Sequence, residues 1–447
     1  VPDLALRSRT PGAARALVSE LDGRRVVLAV VDASTHRGAL SSSASDVLVA
    51  AATVALDERI PLVGVLDSSG ADIVEGIAAL HGWGRVARAM AACSGVVPVV
   101  VVVTGPAVSG PALLLGLADQ VVMTEEAYAF VSGPTMVAEF TGVHVDRDEL
   151  GGATVHARHS GIASLVVKDR EAALDAVGAL LAYLPDHGDT EPAAWPCDDP
   201  VDRPTPEAGE LLPATATGSY DVRDVMTAVV DDGSLLELRS RWAANLVTAL
   251  ATIGGRPVGL IGNQPLAMAG TLDIPASQKG ARFVEFCDSF NLPLVTFVDT
   301  PGFYPGKDLE WRGMIRHGAQ LVFAYARATV PRIGIILRKS YGGAYIVMDS
   351  KTMGNDVCLG WPTAEIAVMG AGQAAAILQR RATADERAAF EADYTARLLN
   401  PYVAAERGFL DAVIDPADTR REIAGALEVL LSKREQLPGR KHDNCPC

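Results

Sequence analysis

Positive charge is in short supply in this 447-residue chain: 39 Lys and Arg stand against 54 Asp and Glu, a formal net charge of −15. No basic stripe offsets that balance. Nonspecific binding to nucleic acid runs on clustered Lys and Arg, so the composition argues against a nucleic-acid partner. A small polyanion can still be held locally, because net charge says little about one cleft. Cysteine is scarce too. Cys93, Cys197, Cys287, Cys358, Cys445 and Cys447 form no repeated CxxC pair and no Cys/His metal spacing. That pattern speaks against a metal centre or a disulfide framework and fits a reducing cytoplasm. Cys445 and Cys447 read as a fortuitous exposed pair on a polar tail. The first residues, Val1-Pro2-Asp3, lack the basic-then-apolar pattern of a secretory signal. Low-complexity tracts are missing and charged residues make up 21%, which excludes a disordered or collagen-like chain.

One uncharged stretch, Val96 to Ala118, exceeds the ~20 residues that cross a bilayer. Pro98, Gly105, Pro106, Ser109, Gly110 and Pro111 punctuate it. The pattern predicts a buried parallel strand at Val99–Val103, a turn, and an apolar helix from Pro111. A soluble chain with no membrane partner is expected, long enough for two or three domains.

The sequence repeats itself. Arg25-Val26-Val27-Leu28 resembles Arg256-Pro257-Val258-Gly259, and Pro61-Leu62-Val63 matches Pro293-Leu294-Val295 at a shift of 232. Pro98 and Gly110 fall opposite Pro331 and Gly343 at a shift of 233. Four landmarks in one order imply two copies of one unit. In each copy a buried strand (Pro61–Leu66; Leu292–Val298) leads through a glycine loop to a helix. A second strand (Val99–Val103; Ile333–Leu337) then ends in a glycine turn that opens another helix. Such alternation implies parallel sheets with right-handed crossovers, whose sites lie at the strands' C-terminal ends. The expected domains are 1–184 and 219–447, joined by a Pro/Asp/Thr/Gly-rich linker at 185–218.

Backbone N–H groups at a strand-to-helix turn can stabilise an oxyanion, provided small residues let a carbonyl approach. Tyr341-Gly342-Gly343-Ala344-Tyr345 meets that need well. Ala107-Val108-Ser109-Gly110-Pro111 meets it less well, with Ser109 and Gly110 both keeping their N–H groups.

The stretch from Gly262 to Met369 closely resembles the carboxyltransferase (β) subunits of biotin-dependent acyl-CoA carboxylases of the propionyl-CoA/acetyl-CoA type. The resemblance rests on Asn263-Gln264-Pro265, Ala269-Gly270-Thr271-Leu272-Asp273, Ala276-Ser277-Gln278-Lys279-Gly280-Ala281-Arg282-Phe283 and Asp299-Thr300-Pro301-Gly302-Phe303. It continues through Arg338-Lys339-Ser340-Tyr341-Gly342-Gly343-Ala344-Tyr345, Trp361-Pro362-Thr363-Ala364-Glu365, Asn400-Pro401-Tyr402 and Ala404-Ala405-Glu406-Arg407-Gly408. It spans nearly the whole chain, strong in the second half and weaker in the first.

The resemblance implies an α/β, duplicated crotonase-like (ClpP/crotonase) fold. The N half would hold an acyl-CoA and the C half would receive carboxybiotin from a separate carrier. Sites would form between subunits that pair as dimers and stack into a hexamer. Gly343 and Ala344 would polarise biotin's ureido carbonyl with Gly342 alongside, and Ser109 and Gly110 would cradle the acyl thioester oxygen. Tyr345, Ser69, Gly70, Ala71, Asp72 and Gly133 would line the substrate, and Ile346 would tune acyl size. No side-chain base and no metal are implied. The chain carries no GxxxxGK[ST] P-loop and no Met-Lys-Met biotin acceptor, so biotin carboxylase and biotin carrier are expected as other proteins.

The first half departs from the family where it should matter. Asp67-Ser68-Ser69-Gly70-Ala71-Asp72 carries Asp72 in place of an Arg read as holding the substrate's carboxylate or CoA. A Gly-Gly-rich loop has become Ala33–Ser43, and the Gly-Gly turn has become Ser109-Gly110-Pro111. Three readings follow: carboxylation of a short or unusual acyl thioester, biotin-linked decarboxylation of malonyl or methylmalonyl thioesters, or a non-catalytic partner subunit in a mixed complex. His144, His156 and His159 could suggest a metal or a base, but their spacings fit no compact ligand pattern and polar packing is expected. Asp299 reads as a capping or loop-ordering group. Lys279 and Arg282 could touch CoA phosphates or be solvated. Trp242, Trp311 and Trp361 read as packing.

Overall fold

The valines of Val99–Val103 are all buried, on both faces of their strand, as a central parallel strand demands. The computed structural model describes residues 5–6, 12–215 and 218–446; Val1-Pro2-Asp3 and Cys447 lie outside them. The chain divides into two units. One takes Val1–Pro192, Arg239–Trp242 and Ser289–Asn291, and the other Ala193–Leu238, Ala243–Asp288 and Leu292–Cys447.

The first unit contains β1 (Ala5–Leu6), β2 (Ala14–Leu21), β3 (Arg24–Val31), β4 (Leu62–Ser68), β5 (Val99–Val108), β6 (Gln120–Thr124), β7 (Tyr128–Phe130) and β8 (Leu165–Val167). They form one sheet in the order β1-β2-β3-β4-β5-β6-β8, with β7 on the far end of β5. The second unit contains β9 (Leu236–Leu238), β10 (Leu246–Ile253), β11 (Arg256–Asn263), β12 (Leu294–Thr300), β13 (Arg332–Tyr341), β14 (Val357–Gly360), β15 (Glu365–Ala367) and β16 (Ala412–Val413). Their order is the same, β9-β10-β11-β12-β13-β14-β16, with β15 on β13. In both units the β2–β3 type hairpin is antiparallel and the strands beyond it run parallel.

The shift seen in the sequence survives as strand register. Val18 faces Val27 and Leu250 faces Gly259; Val27 then faces Leu62 and Gly259 faces Leu294. Even the irregularity repeats, between Leu66 and Ser68 and between Val298 and Thr300. The stretch weighed as a membrane span is β5, a turn and the helix Gly110–Leu115. Among the described residues no helix is long and apolar enough to cross a membrane.

A tight left-handed turn follows the third strand of each copy, at His36–Gly38 and Met268–Gly270. Gly38 and Gly270 have φ of 70° and 73°. A Cβ on Gly38 would lie 1.9 Å from the Asp67 carbonyl oxygen, and one on Gly270 would lie 2.5 Å from that of Asp299. Only glycine fits. Ser41 then caps the helix Ser42–Glu58 by accepting the Ala44 N–H at 3.1 Å.

Within the stretch 185–218, Pro206–Glu210 is a short helix with Ala208 buried. The fully buried Arg420 ties its surroundings to the second unit, donating to the Pro200 carbonyl at 3.0 Å, the Val229 carbonyl at 2.9 Å and Asp231 Oδ1 at 2.6 Å. Trp361 is fully buried and donates to Thr419 Oγ1 at 2.9 Å. Trp311 departs from the expected packing role: it is 76% exposed, with the Lys307 ammonium over its ring. Lys279 satisfies neither sequence reading. It is 2% exposed and donates to the Leu246 carbonyl at 2.6 Å, because its position on the helix Ile274–Ser289 faces the sheet. Cys93, Cys287 and Cys358 are buried free thiols, and Cys197 is an exposed one.

Asp221 caps the helix Val222–Val229 and binds both Arg223 and, at 2.6 Å, the Gln264 amide. The Arg223 guanidinium, helped by Gln264, outweighs burial and holds the Asp221 carboxyl down to about 2. A depressed acid stabilises the fold above its unfolded value near 4 and loses that contribution as pH falls through 2. Asp221→Asn should cost on the order of 1–2 kcal/mol at pH 7, allowing for the water around Arg223. In urea melts the gap between native and variant should close as pH falls from 4 to 2; a constant gap would clear the charge of any role.

Candidate active site

In the second unit β13 ends at Tyr341 and the helix Gly342–Val347 begins at once. Gly342 has φ 60°, and a Cβ there would sit 3.1 Å from the Val368 carbonyl oxygen. The N–H groups of a first helical turn have no acceptor in their own helix, so those of Gly343 and Ala344 are available to a ligand. Beside them lies a cavity of about 520 Å³ lined by Gly342, Gly343, Tyr345, Ile346, Val368 and Arg407, with further apolar walls. Four residues proposed from the sequence thus meet at one cavity. Arg407 was missed as a site residue. Its signal was present in the Ala404–Gly408 motif, but nothing local marks a helix-end arginine as facing a cavity. Burial pushes the Tyr345 hydroxyl up to about 12, so it stays protonated.

The first unit builds the same turn from other residues. β5 ends at Val108, and Ser109 follows with φ 62° and ψ −123° ahead of the helix Gly110–Leu115. A side chain in that region of backbone space costs roughly 1–3 kcal/mol. The expectation that both amides serve a ligand is corrected here: the Ser109 N–H donates to the Phe130 carbonyl at 2.9 Å. Edge strand β7 takes it, since Pro106–Val108 pair with Tyr128–Phe130 and the next amide continues the ladder. The Gly110 N–H opens the helix and has no acceptor within it. Gly133 sits just beyond Phe130, at the start of the helix Pro134–Thr141.

The Ser69–Asp72 loop leaves the neighbouring strand β4. The Leu40 N–H donates to the Gly70 carbonyl at 2.8 Å and the Asp72 N–H to the Leu40 carbonyl at 3.0 Å. That bridge passes over Ala71, whose N–H faces away from it. Gly70, with φ 111°, comes close to the β5 turn: a Cβ on it would be 3.3 Å from the Val108 carbonyl oxygen and 3.7 Å from Ser109 Cβ. Ser69, Gly70, Ala71, Ser109 and Gly110 are therefore one cluster at the C-terminal ends of two adjacent parallel strands. Asp72 is less free than the sequence suggests. Its carboxylate accepts the Val74 N–H at 2.9 Å and caps the turn Ile73–Glu75. Arg37, which sequence reasoning passed over, is tied to this loop by its backbone, its carbonyl accepting the Ser69 N–H at 3.1 Å.

Beneath the two turns the copies differ in charge. In the second unit Asp299 accepts from Arg338 Nε at 3.0 Å, Tyr220 Oη at 2.9 Å and the Lys339 N–H at 3.1 Å. That is the loop-ordering role expected of it. Asp67 holds the matching place in the first unit, but Gly105 stands opposite Arg338. Asp67 Oδ1 is buried with no hydrogen-bond partner, and burial, with Asp32 nearby, pushes its carboxyl up. His156 makes a packing contact, Nε2 to the Ala129 carbonyl at 2.8 Å and Nδ1 to Ser160 Oγ at 2.7 Å.

Two copies of one α/β unit, each with a small-residue turn where its central parallel strand hands over to a helix, define a duplicated crotonase-like enzyme. The chain belongs to the carboxyl transferase domain family, whose model matches residues 18–445, and it is a carboxyltransferase. It is 44% identical over 431 residues to the methylmalonyl-CoA carboxyltransferase 12S subunit of Propionibacterium freudenreichii subsp. shermanii, covering 95% of this chain and 82% of that one. It is 42% identical to the propionyl-CoA carboxylase beta chain of Saccharopolyspora erythraea, over 95% of this chain and 82% of that one. A solved transcarboxylase 12S hexamer with methylmalonyl-coenzyme A and methylmalonic acid bound superposes with a TM-score of 0.96. The two are 41% identical, over all of this chain and 90% of that one.

The matched acids predict opposite outcomes. Arg338→Met leaves Asp299 buried without its guanidinium and should cost about 3–5 kcal/mol in urea denaturation. Asp67→Asn should raise the thermal midpoint. The Asp67 carboxyl titrates above its unfolded value, so its native form loses stability as pH rises through that range. The gain from Asn should therefore shrink towards pH 4, and a gain independent of pH would refute this origin.

Proposed function

We propose that this carboxyltransferase moves a carboxyl group from biotin, held on a separate carrier protein, to the α carbon of a short acyl-CoA of the acetyl/propionyl type or an unusual acyl thioester. The observation that carries the reading is the 520 Å³ cavity at the Gly342-Gly343 turn. A bicyclic ring fits such a volume, and a side chain on Gly342 would crowd the Val368 carbonyl beside it. Biotin, when bound, supplies the carboxyl group and a basic ureido system. The Gly343 and Ala344 N–H groups donate to its oxygen, Tyr345 and Ile346 wall it, and Arg407 supplies the one formal charge of the lining. On the first unit, the Gly110 and Ala71 N–H groups face the thioester oxygen, and charge developing there is stabilised without reorganisation. No protein side chain need act as base.

The same reading gives the partners: a biotin carboxylase and biotin carrier subunit, and further copies of this chain as dimers in a hexamer. Large apolar side chains left in water support self-association, among them Ile73, Val74 and Ile77 on the first unit and Ile377 and Leu378 on the second. The buried free thiols support a cytoplasmic setting.

The test mixes the protein with biotinylated carrier, biotin carboxylase, ATP, bicarbonate and a panel of acyl-CoAs. Carboxylated acetyl- or propionyl-CoA is expected. No product from any acyl-CoA while the carrier still binds would overturn the reading in favour of a partner subunit. Biotin-dependent release of carbon dioxide from methylmalonyl-CoA alone would favour the decarboxylase. Ile346→Trp, which fills the cavity, should lower turnover at least tenfold by displacing the reacting groups. Asp72→Asn keeps an acceptor for the Val74 N–H while removing the charge. It should lower KM for acyl-CoA severalfold, and an unchanged KM would clear Asp72 of opposing the substrate.

A further inference from the structure

The two copies supply a controlled comparison at their turns. At a shift of 233 Ser109 stands opposite Gly342, Gly110 opposite Gly343, and Pro111 opposite Ala344. Their φ angles agree: Ser109 has φ 62° and Gly342 has φ 60°. Two changes accompany each other. Pro111 has no N–H, so the donor that Ala344 offers in the second unit does not exist in the first. Ser109 adds a hydroxyl at a position where the other copy keeps glycine, and it does so against backbone strain. Nothing in the fold asks for that side chain. The residue is exposed, and its Oγ has no hydrogen-bond partner among the described residues. Its Cβ leans over Gly70, 3.7 Å from where a Cβ on that glycine would lie, while nothing comes within 4 Å of the equivalent point on Gly302. The root of the side chain thus lies beside the Gly70-Ala71 loop, one residue before the Gly110 amide.

We propose that the Ser109 hydroxyl is the hydrogen-bond donor that replaces the amide lost at Pro111, completing the donor set for the acyl thioester oxygen. The proposal deepens the function given above and rests on its assignment of the acyl-CoA to the first unit. An O–H on a rotatable bond can follow the oxygen as the planar thioester becomes an enolate. A hydroxyl also accepts, so it can pair with a hydrogen-bond donor on the acyl group, which an amide N–H in its place could not. The acyl side is thereby suited to thioesters with a small polar group near the carbonyl.

Titration calorimetry on the full chain reads the hydrogen bond directly, using propionyl-CoA and S-propyl-CoA, a thioether without the carbonyl oxygen. The native chain should prefer propionyl-CoA. Ser109→Ala, which keeps the strain but removes the hydroxyl, should weaken propionyl-CoA binding roughly three- to tenfold and leave S-propyl-CoA unchanged. Ser109→Gly should do the same while raising the thermal midpoint, so a folding defect cannot mimic the result. Adding Pro111→Ala to Ser109→Gly rebuilds the second unit's Gly-Gly-Ala turn and should restore the preference. Variants that keep the native preference overturn the proposal and leave the function standing. A native chain that binds neither ligand overturns the acyl-CoA assignment, and the proposal falls with it. A propionyl adduct on Ser109 by mass spectrometry would overturn the donor role in favour of a nucleophile.

Discussion

Everything at the candidate site depends on one close approach, that of a left-handed turn passing under the carbonyl of a strand-end aspartate. Gly38 does this beneath Asp67 and Gly270 beneath Asp299. The contact leaves no room for a Cβ, and it fixes where the chain leaves the third strand of each copy. From there the helix Ser42–Glu58 or Ile274–Ser289 crosses to the next strand, and the parallel register puts two strand ends side by side. The loop after β4 and the turn after β5 emerge from those ends, as do their counterparts after β12 and β13. A displaced turn would move the loop after β4 or β12 with it, because Leu40 bridges directly to Ala71 and Leu272 to Phe303.

On that shared frame the copies have diverged in charge and in strain. The second unit neutralises its strand-end acid with a buried guanidinium, a tyrosine hydroxyl and an amide. The first has glycine where the guanidinium would stem from, and leaves one carboxylate oxygen bare. The turns above differ likewise: glycine relaxed at φ 60° in one, serine held at φ 62° in the other. A frame this stiff tolerates such differences because the hydrogen-bonded ladders on either side over-determine the backbone.

The frame itself was legible in the sequence. Three of the four landmarks, at a shift of 232 or 233, became the strand register, while Arg25 and Arg256 fall one residue out of it; the glycine turns fell at strand ends as the alternation of strands and helices required. The resemblance carried the second half further, to a cavity where Gly342, Gly343, Tyr345 and Ile346 meet. The misses share a cause: residue type announces chemistry but not neighbours. Lys279 looked like a surface cation, yet its partner carbonyl lies 33 residues earlier on the sheet it packs against. Trp311 looked like core, yet a short helix holds it in water. The Ser109 amide looked free because its acceptor belongs to an edge strand of three residues that no sequence period reveals.

The buried cysteines have a use unrelated to catalysis. Burial pushes the Cys93 thiol up to about 11 and the Cys358 thiol up to about 12, and raises Cys287 as well. Thiolate is the reactive form, so these sulfurs are shielded twice, by access and by ionisation. They become alkylatable when the core around them opens. Cys93 belongs to the first unit, and Cys287 and Cys358 to the second. Each copy thus carries its own chemical clock of local opening, and the two clocks can be read separately from a single labelled chain.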